Sequence, residues 1–234
     1  MRASRAIAAE YNPVVSRCVL ALFAKAPIPG QVKTRLVPPL VHEEAAALYE
    51  AMLLDILDQH ADEPVDLALW YAPPEATDWF RRHAPPRYAI RAQVGVDLAA
   101  RMAHLFEAHA AEGFDRIVLR GTDSPTLPAD RVSEAFARLE SCDLVLCPDR
   151  DGGYNLIGLR RACRSLFELE LSTQSVLRET LARARREDLR TELLAPCYDV
   201  DTAADLERLA ADVDAERTPR TRRWLENRRD KVAP

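Results

Sequence analysis

Residues 23–36 read FAKAPIPGQVKTRL, and this segment indicates the class of the protein more clearly than any other part of the chain. It begins at the end of an apolar run, residues 18–24, which is typical of a buried strand. A loop with two prolines, a glycine and three cations, Lys25, Lys33 and Arg35, follows. A strand, a basic loop and a helix form the arrangement with which α/β domains hold phosphate groups, because the helix directs N–H groups at the anion. We therefore interpret the loop as a phosphate site, the alternative being a surface loop with solvated cations.

The choice of cation strengthens this interpretation. The chain has 32 basic residues, of which three are lysine, and two of those three lie in this loop. Lysine supplies a compact, mobile point charge that suits a phosphate, whereas arginine presents a rigid fork.

Strands and helices alternate along the rest of the chain, which predicts an α/β fold with a mostly parallel sheet covered on both faces. Strands are predicted at residues 18–24, 65–71, 88–94, 116–119, 143–147, 154–159 and 189–194. Helices are predicted at residues 42–58, 75–83, 97–111, 128–139, 173–186 and 203–210. We expect one domain over residues 18–212, after a flexible leader at 1–17 and before a basic tail at 213–234. We expect the tail to form a solvated helix that packs Trp224 on the domain, the alternative being a site for an anionic partner.

The bulk composition limits the classes of function and location. A net charge of −5 argues against a nucleic-acid partner. The five cysteines form no C-x-x-C pair, which indicates reduced thiols in a cytoplasmic protein. No apolar run approaches membrane-spanning length, and the first residues lack the apolar core of a secretory signal. We therefore expect a cytoplasmic protein without a membrane partner.

Two further segments carry carboxylates at predicted strand ends, where ligands of open α/β sheets bind. Asp123, in the segment GTDSP at 121–125, could hold Mg²⁺ or Mn²⁺, or could organise its own turn. Asp199 and Asp201 lie on one face of an extended chain and could reach the same metal. Asp201 or Thr202 could instead cap the following helix.

A third segment, DRDGGYN at residues 149–155, suits contact with a sugar or another acceptor. Its glycines permit close approach of a ligand, and Tyr154 offers a ring and a hydroxyl. The alternative is a hairpin turn, of which Asp-Gly is a common signal. Ser172 and Thr173 are expected to cap a helix, with a donor role toward the acceptor as the alternative.

Several common sites are absent from the sequence. It contains neither G-x-x-x-x-G-K-[ST] nor G-x-G-x-x-G, which disfavours a P-loop NTPase and a dinucleotide oxidoreductase. The five histidines form no metal-ligand pattern, and no Ser/His/Asp or Cys/His arrangement is evident.

Five motifs, in order along residues 18–210, resemble a bacterial family of GT-A-type nucleotide-diphospho-sugar transferase-like proteins, often labelled as glycosyltransferases of arsenosugar biosynthesis. They are FAKAPIPGQVKTRL, QVGVDLAARM at 93–102, VLRGTDSPTLP at 118–128, CPDRDGGYNLIGL at 147–159 and DVDTAADL at 199–206. The same signature is similar to 2-phospho-lactate guanylyltransferases and, more distantly, to guanylyltransferases of molybdenum-cofactor synthesis. Asn155 departs from the glycosyltransferase-like pattern, which more usually has a second tyrosine there.

The resemblance implies a Rossmann-like GT-A fold in a single domain, with Mg²⁺ or Mn²⁺ as cofactor. It implies a nucleotide-binding set of Lys25, Pro29, Gly30, Lys33, Thr34, Arg35, Gln93, Gly121 and Thr122. It implies an acceptor-binding set of Gly152, Gly153, Tyr154, Asn155, Ser172 and Thr173. The metal ligands would be Asp123, Asp199 and Asp201, and the catalytic residues Asp123 and Asp151.

Three functional hypotheses share this pocket. The first, which the sequence favours, is a metal-dependent glycosyltransferase that moves a sugar from a nucleotide sugar to a small acceptor, with Asp151 as base. The second is a guanylyl- or cytidylyltransferase that joins a nucleoside triphosphate to a phosphorylated small molecule. The third is a nucleotide-binding protein without catalysis.

Overall fold

A seven-stranded, mostly parallel sheet forms the centre of the protein. The computed structural model describes residues 16–168 and 175–232. Ser172, Thr173 and most of the expected leader lie outside the described residues. The strands are β1 (Cys18–Lys25), β2 (Asp66–Ala72), β3 (Tyr88–Ala92), β4 (Arg116–Gly121), β5 (Leu144–Pro148), β6 (Tyr154–Leu159) and β7 (Thr191–Leu193).

The strand order is β3-β2-β1-β4-β6-β5-β7. Only β6 runs antiparallel to its neighbours, β4 and β5. Asp149 donates its N–H to the Gly153 carbonyl at 3.0 Å, which closes a hairpin between β5 and β6. The turn that the Asp-Gly pair signals is therefore real, and it brings the start of β6 to the edge where β1 and β4 end.

The helices are α1 (His42–Gln59), α2 (Thr77–His83), α3 (Leu98–Ala111), α4 (Arg131–Arg138), α5 (Val176–Arg186), α6 (Ala203–Asp212) and α7 (Pro219–Val232). Their bounds agree with the predicted helices to within a few residues, and α7 falls in the basic C-terminal stretch. Asp97 caps α3 by accepting the Ala100 N–H at 2.8 Å, as its position before an apolar periodic segment predicts. Thr202 caps α6 through the Asp205 N–H.

Both faces of the sheet are buried, because successive side chains of β1 point to opposite sides. Leu20 and Leu22 pack in one core beneath α1, α2 and α4. Val19 and Ala21 pack in a second core beneath α3 and α5. The α/β fold class with helices on both faces is thereby confirmed. No helix in the described part of the chain combines the length and the apolar character that crossing a membrane requires.

A third apolar cluster attaches the C-terminal elements to the outer side of α1. Leu48 and Met52 of α1 are fully buried there against Leu209 of α6 and Leu225 of α7. Trp224 is partly buried at the same place, so the basic C-terminal helix packs on the body of the domain.

Candidate functional site

A cavity of about 590 Å³ opens at the edge of the sheet where β1, β4 and β5 end and β6 begins. Ligands of open α/β sheets bind at this edge because the loops that leave the parallel strands meet there. The cavity walls come from the loop after β1, the end of β4, the start of β6, the first turns of α3 and the segment before α6. Among the predicted residues that line it are Lys25, Lys33, Thr34, Arg35, Gln93, Gly121, Thr122, Asp123, Gly153, Tyr154, Asn155, Asp199 and Asp201.

Lys33 lies at the centre of the charged groups. Its backbone is in the left-handed region, with φ of 48°, and its side chain is 3% exposed. The ammonium group contacts the Asp123 carboxylate and lies 3.1 Å from Oδ1 of Asp201. Burial alone would lower the pKa of Lys33, but the charges of Asp123 and Asp201 outweigh it, so the pKa is raised. Lys33 is thus a charged group that holds two carboxylates together.

The other two cations of the loop are accessible to a ligand. Lys25 is exposed at the end of β1, and its side chain makes no ion pair or hydrogen bond to any described residue. Arg35 has a side chain that is 62% exposed and donates to Oδ2 of Asp201 at 3.1 Å. Both line the cavity, and either can turn toward an anionic ligand.

Two residues of the expected nucleotide set serve the framework with their side chains. Gln93 donates to the carbonyls of Ala24 and Trp70, at 3.3 and 3.0 Å, and so joins the ends of β1 and β2. The Thr122 hydroxyl, which is buried, donates to the Phe23 carbonyl at 2.9 Å. Pro29 and Gly30 are exposed and lie outside the cavity lining.

A group of carboxylates lies across from the basic loop. Asp199 is adjacent to Asp123, since the Val200 N–H donates to the Asp123 carbonyl at 2.9 Å. The Asp199 N–H in turn donates to Oδ1 of Asp149 at 3.3 Å. Burial, together with the charge of Asp123, raises the pKa of Asp199 well above its usual range. Oδ1 of Asp199 is buried without a hydrogen-bond partner, so this oxygen is free to accept a hydrogen bond or to coordinate a cation.

This donor set is compatible with a divalent cation that also binds phosphate. Within the described ranges, no group of three or more His, Cys, Asp or Glu side chains could hold a metal by itself. Mg²⁺, however, is commonly held by one or two carboxylates and completed by substrate phosphates and water. Asp123 and the unpartnered oxygen of Asp199 meet that requirement. Asp123 and Asp201 both contact Lys33, and Asp201 is also paired with Arg35, so a metal ion would compete with these cations.

The glycine-rich turn contributes a buried amide to the cavity. Asn155 is 4% exposed, and neither its Nδ2 nor its Oδ1 has a hydrogen-bond partner. Tyr154 lines the cavity with a ring packed on the second core, and its hydroxyl is buried. Gly152 has φ of 87°, which favours glycine there. Asp151 is exposed and lies outside the cavity lining, and among the described residues its carboxylate pairs with Arg35 alone, at 3.9 Å.

Several cavity residues were not predicted from the sequence. Tyr49 of α1 was assigned only to a core face, yet its hydroxyl accepts from the Lys25 N–H at 3.0 Å and bonds Thr122 at 2.9 Å. Arg101 of α3 adds a further cation to the cavity wall. Asp149 was also not predicted as a site residue. It lies directly after β5, and this position at a strand end is the same signal that identifies Asp123.

Comparisons with known proteins identify the family and the fold of the chain. The model of the family described as "uncharacterized protein conserved in bacteria (DUF2064)" matches residues 56–173. A crystal structure from Desulfovibrio desulfuricans G20, provisionally assigned as a nucleotide-diphospho-sugar transferase, is 32% identical. It superposes with a TM-score of 0.86 over 92% of this chain and 96% of that one.

Three similar curated proteins are guanylyltransferases. A 3-phospho-D-glycerate guanylyltransferase from Phenylobacterium zucineum is 34% identical over 83% of this chain and 88% of its own length. A phosphoenolpyruvate guanylyltransferase from Sphaerobacter thermophilus is 32% identical over 76% and 86%. A 2-phospho-L-lactate guanylyltransferase from Methanothermobacter thermautotrophicus is 27% identical over 74% and 76%.

These relatives correct the functional expectation. The favoured hypothesis, sugar transfer from a nucleotide sugar, is wrong, because the curated relatives carry nucleotidyl groups to phosphorylated small molecules. An enzyme of the nucleotidyltransferase type is supported instead. The five-motif resemblance is confirmed: the chain is similar to guanylyltransferases and to a structure provisionally assigned as a nucleotide-diphospho-sugar transferase, and it belongs to the bacterial DUF2064 family.

Proposed function

We propose that the protein is a metal-dependent guanylyltransferase that transfers GMP from GTP to the phosphate group of a small phosphorylated carboxylic acid. A phosphate oxygen of the acceptor attacks the α-phosphorus of GTP. A new P–O–P bond forms, the bond to the β-phosphate oxygen breaks, and pyrophosphate leaves. The observation that carries the proposal is one cavity that combines exposed cations, a carboxylate pair and a buried unpartnered amide.

The charges in the cavity are suited to a triphosphate. Lys25, Arg35 and Arg101 line the cavity wall, and their positive charge would stabilise the charge that develops on the leaving pyrophosphate. Asp123 and Asp199 would hold Mg²⁺ or Mn²⁺. The ion would supply charge neutralisation between the phosphates and these carboxylates.

The chemistry of the acceptor explains why the cavity needs no general base. A phosphate monoester has its second pKa near 6, so it is largely dianionic at neutral pH and is already a nucleophile. The expected role of Asp151 as a base therefore has no proton to accept in this reaction. The exposed position of Asp151 outside the cavity lining is consistent with that conclusion.

The class of acceptor is proposed from what the relatives' substrates share. 3-Phosphoglycerate, phosphoenolpyruvate and 2-phospholactate are each a three-carbon acid with a phosphate group. Such a molecule needs a cation for its carboxylate and a hydrogen-bonding group beside it. Asn155 could donate from Nδ2, and Arg101 could supply the charge.

A matrix of donors and acceptors tests the proposal. GTP, CTP, ATP and UTP would each be incubated with 3-phosphoglycerate, phosphoenolpyruvate or 2-phospholactate and with Mg²⁺ or Mn²⁺. Pyrophosphate would be measured, and the product mass determined. We expect pyrophosphate with GTP and at least one acceptor, with a product that has gained GMP. Pyrophosphate formed only with another nucleotide would reject the guanylyl assignment, and no pyrophosphate with any pair would reject nucleotidyl transfer to this acceptor class.

A further inference from the structure

Four backbone carbonyl groups of the loop that carries Asp123 accept hydrogen bonds from residues outside the loop. The Asp123 carbonyl accepts from the Val200 N–H at 2.9 Å. The next two carbonyls, of Ser124 and Pro125, accept from Arg120 at 2.6 Å and from Gln59 at 3.0 Å. The Leu127 carbonyl accepts from Arg217 at 2.7 Å. Three of these donors, Val200, Gln59 and Arg217, are distant in sequence, whereas Arg120 lies near the end of the strand that leads into the loop. The loop also has a turn of its own, in which the Leu127 N–H donates to the Ser124 carbonyl at 3.3 Å, and the contacts from distant segments add to that turn.

Arg120 is the most unusual of these donors. It lies on β4, its side chain is fully buried, and no described carboxylate pairs with it. Burial lowers the pKa of Arg120 to about 10, which leaves the guanidinium charged at neutral pH. Its other contact is Nε2 of His60. Burial lowers the pKa of His60 to about 4, so the ring is neutral and can accept that hydrogen bond. Burying a charge that has no carboxylate partner is costly. The guanidinium of Arg120 offsets part of that cost by donating to the Ser124 carbonyl.

The C-terminal segment takes part through Arg217 and Gln59. Nε2 of Gln59, at the end of α1, also donates to the Arg217 carbonyl at 2.8 Å, so these two donors are bound to each other. Arg217 lies just before α7, which is fastened to α1 by Asp55. That fully buried carboxylate accepts the Thr221 N–H at 2.8 Å and the Thr221 hydroxyl at 2.7 Å. The position of Arg217 is therefore set by a buried anchor on the helix that follows it.

We propose that Arg217, Gln59 and Arg120 are positioning residues for Asp123, so that one residue of the C-terminal basic segment, Arg217, supports the site. The role assigned to Asp123 rests on the proposed function. Loss of one donor would let the loop move and would misplace the Asp123 carboxylate relative to Asp199. Within the basic segment, Arg217 is turned toward this loop.

Arg217→Ala tests the proposal, with Arg222→Ala as the matched control. Arg222 lies on α7 and pairs with Glu226, one turn along the same helix. Amide hydrogen exchange in the peptide 121–130, the melting temperature and Mn²⁺ binding to the nucleotide-free protein would be measured in both variants. We expect Arg217→Ala to raise exchange in 121–130 and to weaken Mn²⁺ binding about tenfold. Arg222→Ala should leave both quantities unchanged, and Arg217→Lys should recover part of the loss.

Activity provides a further, separable readout. In the GTP assay, Arg217→Ala should raise the Mn²⁺ concentration at half-maximal rate more than it raises KM for the acceptor. Equal exchange and equal Mn²⁺ binding in the Arg217→Ala and Arg222→Ala variants would overturn the proposal. If Arg217→Ala did not fold, Gln59→Leu, which removes the donor to Pro125, would be measured against the same two criteria. If the wild-type protein had no guanylyl activity, the exchange and Mn²⁺ measurements would still decide the positioning role.

Discussion

The ammonium group of Lys33 contacts the carboxylate of Asp123 inside the cavity, and the same group is within 3.1 Å of Asp201. Lys33 therefore neutralises the carboxylates beside which a triphosphate would have to bind. Lys33, which the sequence predicts to bind the nucleotide, would in this position also lower the repulsion that an incoming nucleotide meets.

Lys33→Met should weaken nucleotide binding and strengthen metal binding. Without the ammonium group, Asp123 and Asp201 repel GTP, and we expect its affinity to fall by about tenfold or more. Mn²⁺ alone should bind more tightly, because it no longer competes with a resident cation. The free energy of unfolding should fall by about 1–2 kcal/mol, since both carboxylates keep access to water. Separate calorimetric titrations with Mn²⁺ alone and with GTP alone would check both directions, and a parallel loss of the two affinities would contradict this account.

Asp123→Asn should abolish turnover while the fold is retained, and Asp151→Asn should not. The first change removes the carboxylate charge beside Asp199, and we expect kcat/KM to fall at least about a hundredfold. The second changes an exposed residue outside the cavity lining, and we expect an effect below about threefold. Pyrophosphate release by the two variants would be compared at equal Mn²⁺. A large loss in Asp151→Asn would restore a base or orienting role for that residue.

The sequence predicts those site residues whose role follows from their immediate neighbours along the chain. Asp123 was identified because an apolar strand ends just before it, and Asp97 because a cap precedes an apolar periodic segment. The burial of Lys33 was not predicted, since it depends on Asp201, which is distant in sequence. The burial of Arg120 was also not predicted, because a single arginine at the end of a short strand gives no sign of it in the sequence. It becomes evident only from the packing of the end of α1 against β4. Local elements were predictable, whereas contacts between strand-end loops required the fold.

Asn155→Leu should make the protein more stable and a poorer enzyme. The buried amide has no partner on either atom, so replacing it with an apolar side chain of similar size removes an unsatisfied group worth about 1 kcal/mol. For a chain of this size the melting temperature should rise by about 2–4 °C. KM for the phosphorylated acid should rise about tenfold, with KM for GTP nearly unchanged. A rise in KM for GTP alone would show that Asn155 contacts the nucleotide and not the phosphorylated acid.

Two buried histidines should make the fold sensitive to acid. Burial is the main cause that lowers the pKa of both His60 and His109 to about 4, and the charges of Arg120 and Arg91 act in the same direction. The unfolded chain binds protons at these rings near pH 6.5, whereas the folded protein does not until about pH 4. Unfolding therefore takes up protons between those values, so stability is lost as the pH falls through this window and is unaffected by these rings above it.

The size of this effect can be isolated by substitution. Each histidine contributes a slope of up to about 1.4 kcal/mol per pH unit between pH 4 and 6.5. His60→Gln keeps an acceptor for Arg120 but cannot take up a proton, so its stability should fall less steeply with acid than that of the wild type. His109→Gln should act in the same direction. Urea unfolding at half-unit pH steps would give the three slopes, and identical slopes would mean that neither ring is held neutral in the folded protein.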